Sequence, residues 1–479
     1  MTFPGISTRK SRFLSHGARR GWVALMAAAG LVQPAQAMNV STDQLGQVLL
    51  FPYYTVKGGF DTVITVTNVS DSTTVIRVRF REALNGREVA AFNVVMPPGD
   101  VWSGATTMNA TGDGAVLRTY DNSCTVPQFP ASATAVPARE IAFSNAAYTD
   151  TPPHASDGAG TALNRVQEGY FEVIAMGRFA AGAQTNAAMV VPYNAQHTAV
   201  GVPLSCANVA AAGAEAYTAL LPPANKLFGA AILISVPRGQ AIDAPPVAIA
   251  GFADFAPIWY PPTSPHPDLA DGDGAEAARY TAGGRRRIDA IATNSADTIS
   301  ALLMADEVVN DYASDGIGAL TNWVVTFPTK RHYVDRPTAL PPFHQPFADA
   351  GQSCVASGIT YSNRESLTFP EVSPTAIPSP SLPPAYPFCY ASNVVTFNGA
   401  TLFGEGANRV PLVTTPSGTA GWARIRFGNA GQNINGNTVS TGAYGFPVIG
   451  FAAIVRNNAS EAGNNRNYGS TSLPTHVRY

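Results

Sequence analysis

Charge is scarce in this chain, and lysine scarcest of all. Only 13% of the 479 residues are Asp, Glu, Lys or Arg, against about 25% in typical soluble domains. The lysines number four, Lys10, Lys57, Lys226 and Lys330, and the alanine-rich, arginine-for-lysine balance reads as a GC-rich coding bias. There is no Cys-x-x-Cys, no His-Glu-x-x-His, no Gly-x-Ser-x-Gly and no Gly-x-x-x-x-Gly-Lys. A local zinc-hydrolase motif, a nucleophile elbow and a phosphate loop are therefore excluded, although a triad assembled from distant segments is not. Beyond residue 37 no apolar run reaches the roughly 18 residues that a membrane helix needs.

What is present begins with a leader. Arg9, Lys10, Arg12, Arg19 and Arg20 precede an apolar stretch at 21–32 (GWVALMAAAGLV), and Ala35-Gln36-Ala37 forms a small-x-small cleavage site. These are the three parts of a secretory signal peptide at 1–37, with the mature chain starting near Met38. General export is preferred to the twin-arginine route, since the residues after Arg19-Arg20 do not complete that motif. The rest carries 25 basic against 32 acidic residues, a net charge of −7, so a nucleic-acid partner is excluded on charge. The expected location is extracellular, cell-surface or periplasmic.

Cys124, Cys206, Cys354 and Cys389 are an even set in an oxidising compartment, where disulfides are the rule. Of three possible pairings the sequence favours Cys124 with Cys206 and Cys354 with Cys389, because each pair flanks one long irregular segment.

Hydrophobic residues make up 46% of the chain, and 43 glycines and 38 prolines punctuate it. The apolar run 48–55 (VLLFPYYT), the β-branched 62–69 (TVITVTNV) and the alternating 73–81 (TTVIRVRFR) read as strands. In the last, Ile76, Val78 and Phe80 share a core face, which places Arg77, Arg79 and Arg81 in solvent. With a further strand at 88–96 and turn signals between, the opening hundred residues read as an antiparallel meander. Later strand patterns lie at 169–176, 188–191, 227–236, 247–255, 322–327, 393–397, 422–427 and 447–455. Residues 299–312 suit a buried strand followed by a short helix at 306–312. The run 422–427 echoes 76–80, as a duplicated unit, two strands meeting in one sheet, or chance alternation; chance is the better reading of so short a match. The expected fold is mainly β: antiparallel sandwiches with long Pro/Gly/Ala-rich loops and little helix. The division is an N-terminal β-sandwich region at 38–260 with an inserted loop at 121–165, then a C-terminal β region at 261–479 with a Cys-containing Pro-rich loop at 336–391.

Several stretches carry a resemblance. The segments 45–55 (LGQVLLFPYYT) with 65–68 (TVTN), 168–174 (EGYFEVI), 322–330 (NWVVTFPTK) and 445–451 (GFPVIGF) resemble a group of exported Gram-negative bacterial proteins with no assigned activity. The matches spread over most of the mature chain, so a common fold is implied and no functional residue is transferred. The strand-turn-strand opening is also similar to immunoglobulin-like sandwich modules of bacterial surface proteins, which supports fold class alone.

Three sets of residues are candidates for chemistry. Lys330, Arg331, His332 and Tyr333 follow a strand end and suit an anionic group such as a sugar acid or lipid headgroup, or else form a solvated rim. Asp268, Asp271, Asp273 and Glu276 offer hard oxygen ligands for calcium, the one cofactor considered, although the spacing departs from the EF-hand loop and Asp-Gly pairs are common in solvated turns. The aromatics Tyr53, Tyr54, Trp102, Trp259 and Tyr260 either stack on sugar rings or anchor the core. Arg285-Arg286-Arg287 reads as an exposed basic turn. The functional expectation is a non-catalytic structural or adhesive protein of the cell surface or extracellular space, its partners other surface proteins or extracellular glycans. The alternatives are a secreted hydrolase acting on glycans, with Glu168, Glu172 or Asp254 in acid–base roles, and a carbohydrate-binding module. Glu172, between apolar Phe171 and Val173, reads as an outward-facing strand position.

Overall fold

Alternating apolar residues on β-branched strands need a second sheet to cover them, and the chain supplies two such sandwiches in succession. The computed structural model describes residues 37–132, 138–149, 156–280, 286–290, 294–314, 318–347, 351–369, 386–414, 418–427, 433–434, 437–438, 445–458, 466–472 and 475–477. All but the last residue of the expected leader thus lies outside the described residues, as does Arg285. Arg286 and Arg287 sit in a hairpin strand, opposite Tyr280 and Arg279.

A seven-stranded sheet runs Asn39–Val40, Val247–Ala250, Val48–Thr55, Glu168–Arg178, Thr74–Glu82, Glu88–Met96, Cys124–Val126 in spatial order. Facing it is a six-stranded sheet ordered Gln240–Asp243, Leu227–Ser235, Asp61–Asn68, Val101–Met108, Ala115–Thr119, Arg139–Ala142. Leu49, Phe51, Ile76, Val78, Phe80, Phe171 and Val173 meet Ile64, Val66, Trp102 and Leu233 between them. Phe51 and Phe171 stack at 4.1 Å. Consecutive strands are dealt between the two sheets, so the opening is not a meander: Thr74–Glu82 and Glu88–Met96 form a hairpin, but Asp61–Asn68 pairs with Val101–Met108 in the opposite sheet. Turn residues set a reversal; they do not decide whether the chain returns to its own sheet or crosses to the other.

The second sandwich has a sheet containing Val355–Asn363, Ala420–Phe427 and Glu307–Ala313, and a five-stranded sheet ordered Arg409–Leu412, Ser392–Phe397, Ala319–Thr326, Ile449–Asn458, Arg466–Ser472. Ser392–Phe397 with Arg409–Leu412 is a parallel pair. Trp323, Val325 and Phe397 face Tyr312, Ile359 and Ile425 within this sandwich. On the opposite face of the same five-stranded sheet, Val324, Val394 and Phe451 join the core of the first sandwich beside Leu49, Phe51 and Tyr53. The strands Ala319–Thr326 and Ser392–Phe397 of this sheet are accordingly buried on both faces along almost their whole length.

Both expected disulfides are present, Cys124–Cys206 and Cys354–Cys389. The fold is mainly β and largely antiparallel, as the periodicity indicates. Three local expectations are overturned. Residues 188–191 are not a strand, and Val190–Ala195 is a short helix. The order within 299–312 is reversed, with a helix at Ser295–Leu303 and a strand at Glu307–Ala313. The helix is started by Asn294, whose side chain accepts from the Asp297 N–H at 3.0 Å, a cap that outweighs an apolar run ambiguous by period. The inserted loop contains strands Cys124–Val126 and Arg139–Ala142. The echoing strands Thr74–Glu82 and Ala420–Phe427 lie in different sheets, so they do not meet in one sheet.

Candidate functional site

The alternation of residues 76–80 correctly sorts Ile76, Val78 and Phe80 to the core, but the arginine face is not in solvent. Arg77, Arg79 and Arg81 are 0%, 1% and 5% exposed. A segment from the end of the first sandwich, nearly two hundred residues away, lies over them. Arg77 Nη2 donates to the Ser264 carbonyl at 2.6 Å and Arg79 Nη2 to that of Pro265 at 2.6 Å. Guanidinium groups suit this covering role because their fixed, multiple donors satisfy several carbonyls and carboxylates at once.

Glu172, on the neighbouring strand, is fully buried and not outward-facing. Its Oε1 accepts from Arg81 Nε and Nη2 at 3.0 and 2.8 Å, and Arg79 also pairs with Glu88 at 2.8 Å. Strand neighbours approach closely here: a Cβ on Gly169 would fall 1.9 Å from the Arg81 carbonyl oxygen, so only glycine allows the contact. Burial opposes the charge on Arg81, but the hydrogen-bonded Glu172 carboxylate together with Tyr170 and Asp268 nearby reverses the sign and raises the guanidinium pKa. Arg77 lacks such a carboxylate in contact, and burial with the nearby Arg79 charge pushes it down to about 10.

The charged layer continues along the sheet edge. Glu82 accepts the backbone N–H groups of Leu84, Asn85 and Arg87 and pairs with Arg165 at 3.1 Å. Arg165 also holds Asp157 with both Nη atoms at 2.9 Å, and Arg87 reaches Asp335 at 2.6 Å. Between the sheet and the segments 268–270 and 328–332 is a pocket of about 40 Å³ bordered by Arg81, Tyr170, Glu172, Asp268, Arg331 and His332. Glu172 Oε2 and His332 Nε2 have no hydrogen-bond partner; the pocket has room for a few waters at most.

The four-residue basic set divides by helical geometry. In the short helix Lys330–Val334, positions three apart share a face, and Lys330 and Tyr333 point inward. The Lys330 ammonium donates to the carbonyls of Ser353, Phe388 and Tyr390 and lies 5.4 Å from the ring centres of both Phe327 and Phe343. Burial pushes its pKa well below the ordinary lysine value. Tyr333 donates to Asp297 at 2.8 Å. Arg331 and His332 alone of the four border the pocket, and burial lowers the His332 pKa.

The acidic set divides as well. Asp268 and Asp271 come together with His266, whose ligand atoms all lie within 4.8 Å of one another. Asp271 Oδ2 already accepts the Asp268 N–H and contacts His266 Nδ1 at 2.8 Å, and a nitrogen donor does not belong to a calcium cage. Asp273 instead accepts the N–H groups of Asp254, Phe255 and Ala256, and Glu276 is exposed. The sequence signal for His266 was its place two residues before Asp268.

Of the proposed acid–base residues, Asp254 accepts from Gln47 at 2.9 Å. Glu168 is buried and clamped by Lys57 at 2.7 Å, Arg409 at 3.0 Å and the Tyr53 hydroxyl at 2.6 Å. Burial raises its pKa, yet Arg409 and Lys57 reverse the sign and hold it below the usual value. Tyr53, Tyr54 and Trp102 are fully buried core anchors and not ligand platforms. Trp259 stacks on Tyr217 at 4.4 Å and Tyr260 tilts against His266 at 5.3 Å. In comparisons with known proteins, no family, no curated protein and no solved structure matches the chain.

Proposed function

We propose that this is an exported, non-catalytic protein of the cell surface or extracellular space, structural or adhesive, which presents long uncharged loops from a rigid β body. The observation that carries the reading is the state of its buried carboxylates. Glu168 and Glu172 are each locked to cations, Glu168 with a lowered pKa. A general acid must hold a proton at working pH and a general base must reach substrate; the clamped Glu168 does neither, and Glu172 faces only a 40 Å³ pocket. The basic leader, the two disulfides and the resemblance to exported Gram-negative proteins support the location.

The test pairs fractionation with turnover. The processed protein is expected in the periplasmic, surface or medium fraction with oxidised cysteines, and incubation with a panel of polysaccharides should release no new reducing ends. Release that disappears in Glu172→Gln would replace this reading with a hydrolase. Retention in the cytoplasm with four free thiols would remove the export argument.

A further inference from the structure

One end of the first sandwich gathers exposed apolar side chains from several separate connections. The turns 69–73, 97–100 and 120–123 and the long connection 179–226 all leave the two sheets at this end, because Thr74 stands opposite both Arg178 and Met96, Val95 opposite Cys124, and Asn68 opposite Leu227. Val69, Val101, Tyr120, Val200, Val202 and Leu204 are exposed there. From Phe179 to Ala214 the chain has no Asp, Glu, Lys or Arg. Within this stretch the inward side chains Val191, Ala195 and Val209 pack with Val75, Val95 and Phe179, and the Cys124–Cys206 disulfide pins it to the edge of the seven-stranded sheet. With the inner face filled, polar residues would be expected outward, yet the outermost turn is aliphatic too. Its backbone is closed on itself: the Thr198 N–H donates to the Val202 carbonyl at 2.8 Å and the Gly201 N–H to the Thr198 carbonyl at 2.9 Å. Val200 stands at the tip, 83% exposed, followed by Val202 at 47% and Leu204 at 45%. At the base of the turn His197 lies 3.7 Å from Asp100, next to the 97–100 turn.

The chemistry of the tip selects what covers it. Protein interfaces draw most of their energy from Trp, Tyr and Arg seated in matching pockets, whereas this turn projects Val and Leu into water. Hydrocarbon requires no matching pocket, only side chains without charge and a backbone whose hydrogen bonds are already made. The turn 198–202 meets both conditions. Tyr120, 66% exposed on the neighbouring 120–123 turn, carries the ring and hydroxyl that settle where lipid tails meet water. Charge then narrows the class of lipid. The charged residues in the four connections are Asp71, Asp100, Asp121 and Glu215 against Lys226 alone, so no positive field draws anionic headgroups. We infer that this end of the first sandwich docks on a lipid bilayer with neutral headgroups, the turn 198–202 entering the acyl region and Tyr120 resting at the headgroup boundary. The inference rests on the exported, surface-contact reading above and names the partner for it.

The experiment floats the full processed protein with phosphatidylcholine vesicles and, separately, with vesicles that also contain phosphatidylglycerol. The protein should float with phosphatidylcholine, bind the anionic vesicles no more tightly, and stay bound in high salt. Val200→Asp places a charge on a side chain that already faces water, so the melting temperature should not change, but the affinity for phosphatidylcholine should fall at least tenfold because hydrocarbon rejects the carboxylate. Val413→Asp, at an exposed valine of the second sandwich, should leave the affinity as it is. Absence of flotation at millimolar phosphatidylcholine, binding confined to anionic vesicles and lost in salt, full binding by a folded Val200→Asp protein, or an equal loss in Val413→Asp overturns the proposal. So does a concentration-dependent dimer that Val200→Asp dissolves while no lipid binds, which would make this end a contact between copies of the chain. Any of these results from a protein that is exported with oxidised cysteines sinks the lipid assignment alone, whereas retention in the cytoplasm would sink the reading on which it rests.

Discussion

Arg409 of the second sandwich reaches Glu168 of the first, Nη1 to Oε2 at 3.0 Å, across 241 residues of sequence. Lys57 closes on the other oxygen of the same carboxylate at 2.7 Å. The pairing sits where the five-stranded sheet shares a core with the first sandwich, so it ties together the bodies that hydrophobic packing has already joined. Removing one partner of a buried pair leaves an uncompensated charge and costs about 3–5 kcal/mol. Arg409→Met is expected to lower stability by that amount, read as a shift in urea midpoint.

The same carboxylate sets a pH dependence. Glu168 has a lower pKa in the folded protein than its ordinary value of 4.5, so the unfolded chain binds the proton more readily. Its contribution is present in full above pH 4.5 and is lost as pH falls through the lowered folded value. Glu168→Gln should therefore flatten the acid limb of a melting-temperature profile while leaving the profile above pH 6 parallel to wild type, displaced downward. An unaltered acid limb would refute the assignment.

Arg81 and Glu172 form a contact whose members depend on each other. Arg81→Met alone strands a buried carboxylate, and Glu172→Gln alone strands a guanidinium; each is expected to cost about 3 kcal/mol or more. The double variant should cost less than the sum by at least 1 kcal/mol in a double-mutant cycle from chemical denaturation. Simple additivity would mean that the two side chains do not act as a pair.

Lys330 is buried without a carboxylate, between two phenylalanine rings and three carbonyls. Burial depresses its pKa in the fold, so between that value and about 10.4 the unfolded chain holds an extra proton and stability rises with pH. Lys330→Met should remove this alkaline rise. It should also cost about 1–3 kcal/mol at neutral pH, because the carbonyls of Ser353, Phe388 and Tyr390 lose their donor. Denaturation midpoints at pH 7 and pH 9.5 measure both effects.

The two disulfides should behave differently on removal. Each closes a loop, of 82 residues for Cys124–Cys206 and 35 for Cys354–Cys389, and chain entropy assigns about 4 kcal/mol to either. Cys354 and Cys389 flank the carbonyls that hold Lys330, so the double serine variant at these positions should lower the melting temperature of the whole protein. Cys206 begins the short helix Cys206–Ala211, which packs on Val95 and Phe179 in a small separate cluster. Its loss with Cys124 should show first as proteolytic cutting between residues 180 and 225, ahead of global unfolding.

Legibility in the sequence followed the range of the interactions involved. The mainly β class, most strand positions, the cysteine pairing and the inward set Ile76, Val78 and Phe80 were readable, because two-residue alternation and turn residues are local properties of the chain. In Ala420–Phe427 the same alternation also gave the right outer face, with Arg426 67% exposed on its side chain. In Thr74–Glu82 it did not: alternation reports which residues share a face and says nothing about what later covers it. The loop at 261–265, contributed nearly two hundred residues downstream, turned an apparent solvent face into a sealed layer of arginines, and Glu172 with it. Likewise Lys330 and Arg331 are adjacent in sequence, yet one is a core tether and the other borders a pocket. The sequence by itself determined the strands, their apolar faces and the cysteines available for bridging. Tertiary structure alone decided the sheet order and the partners of each buried charge, because those depend on segments that meet only after the chain has folded.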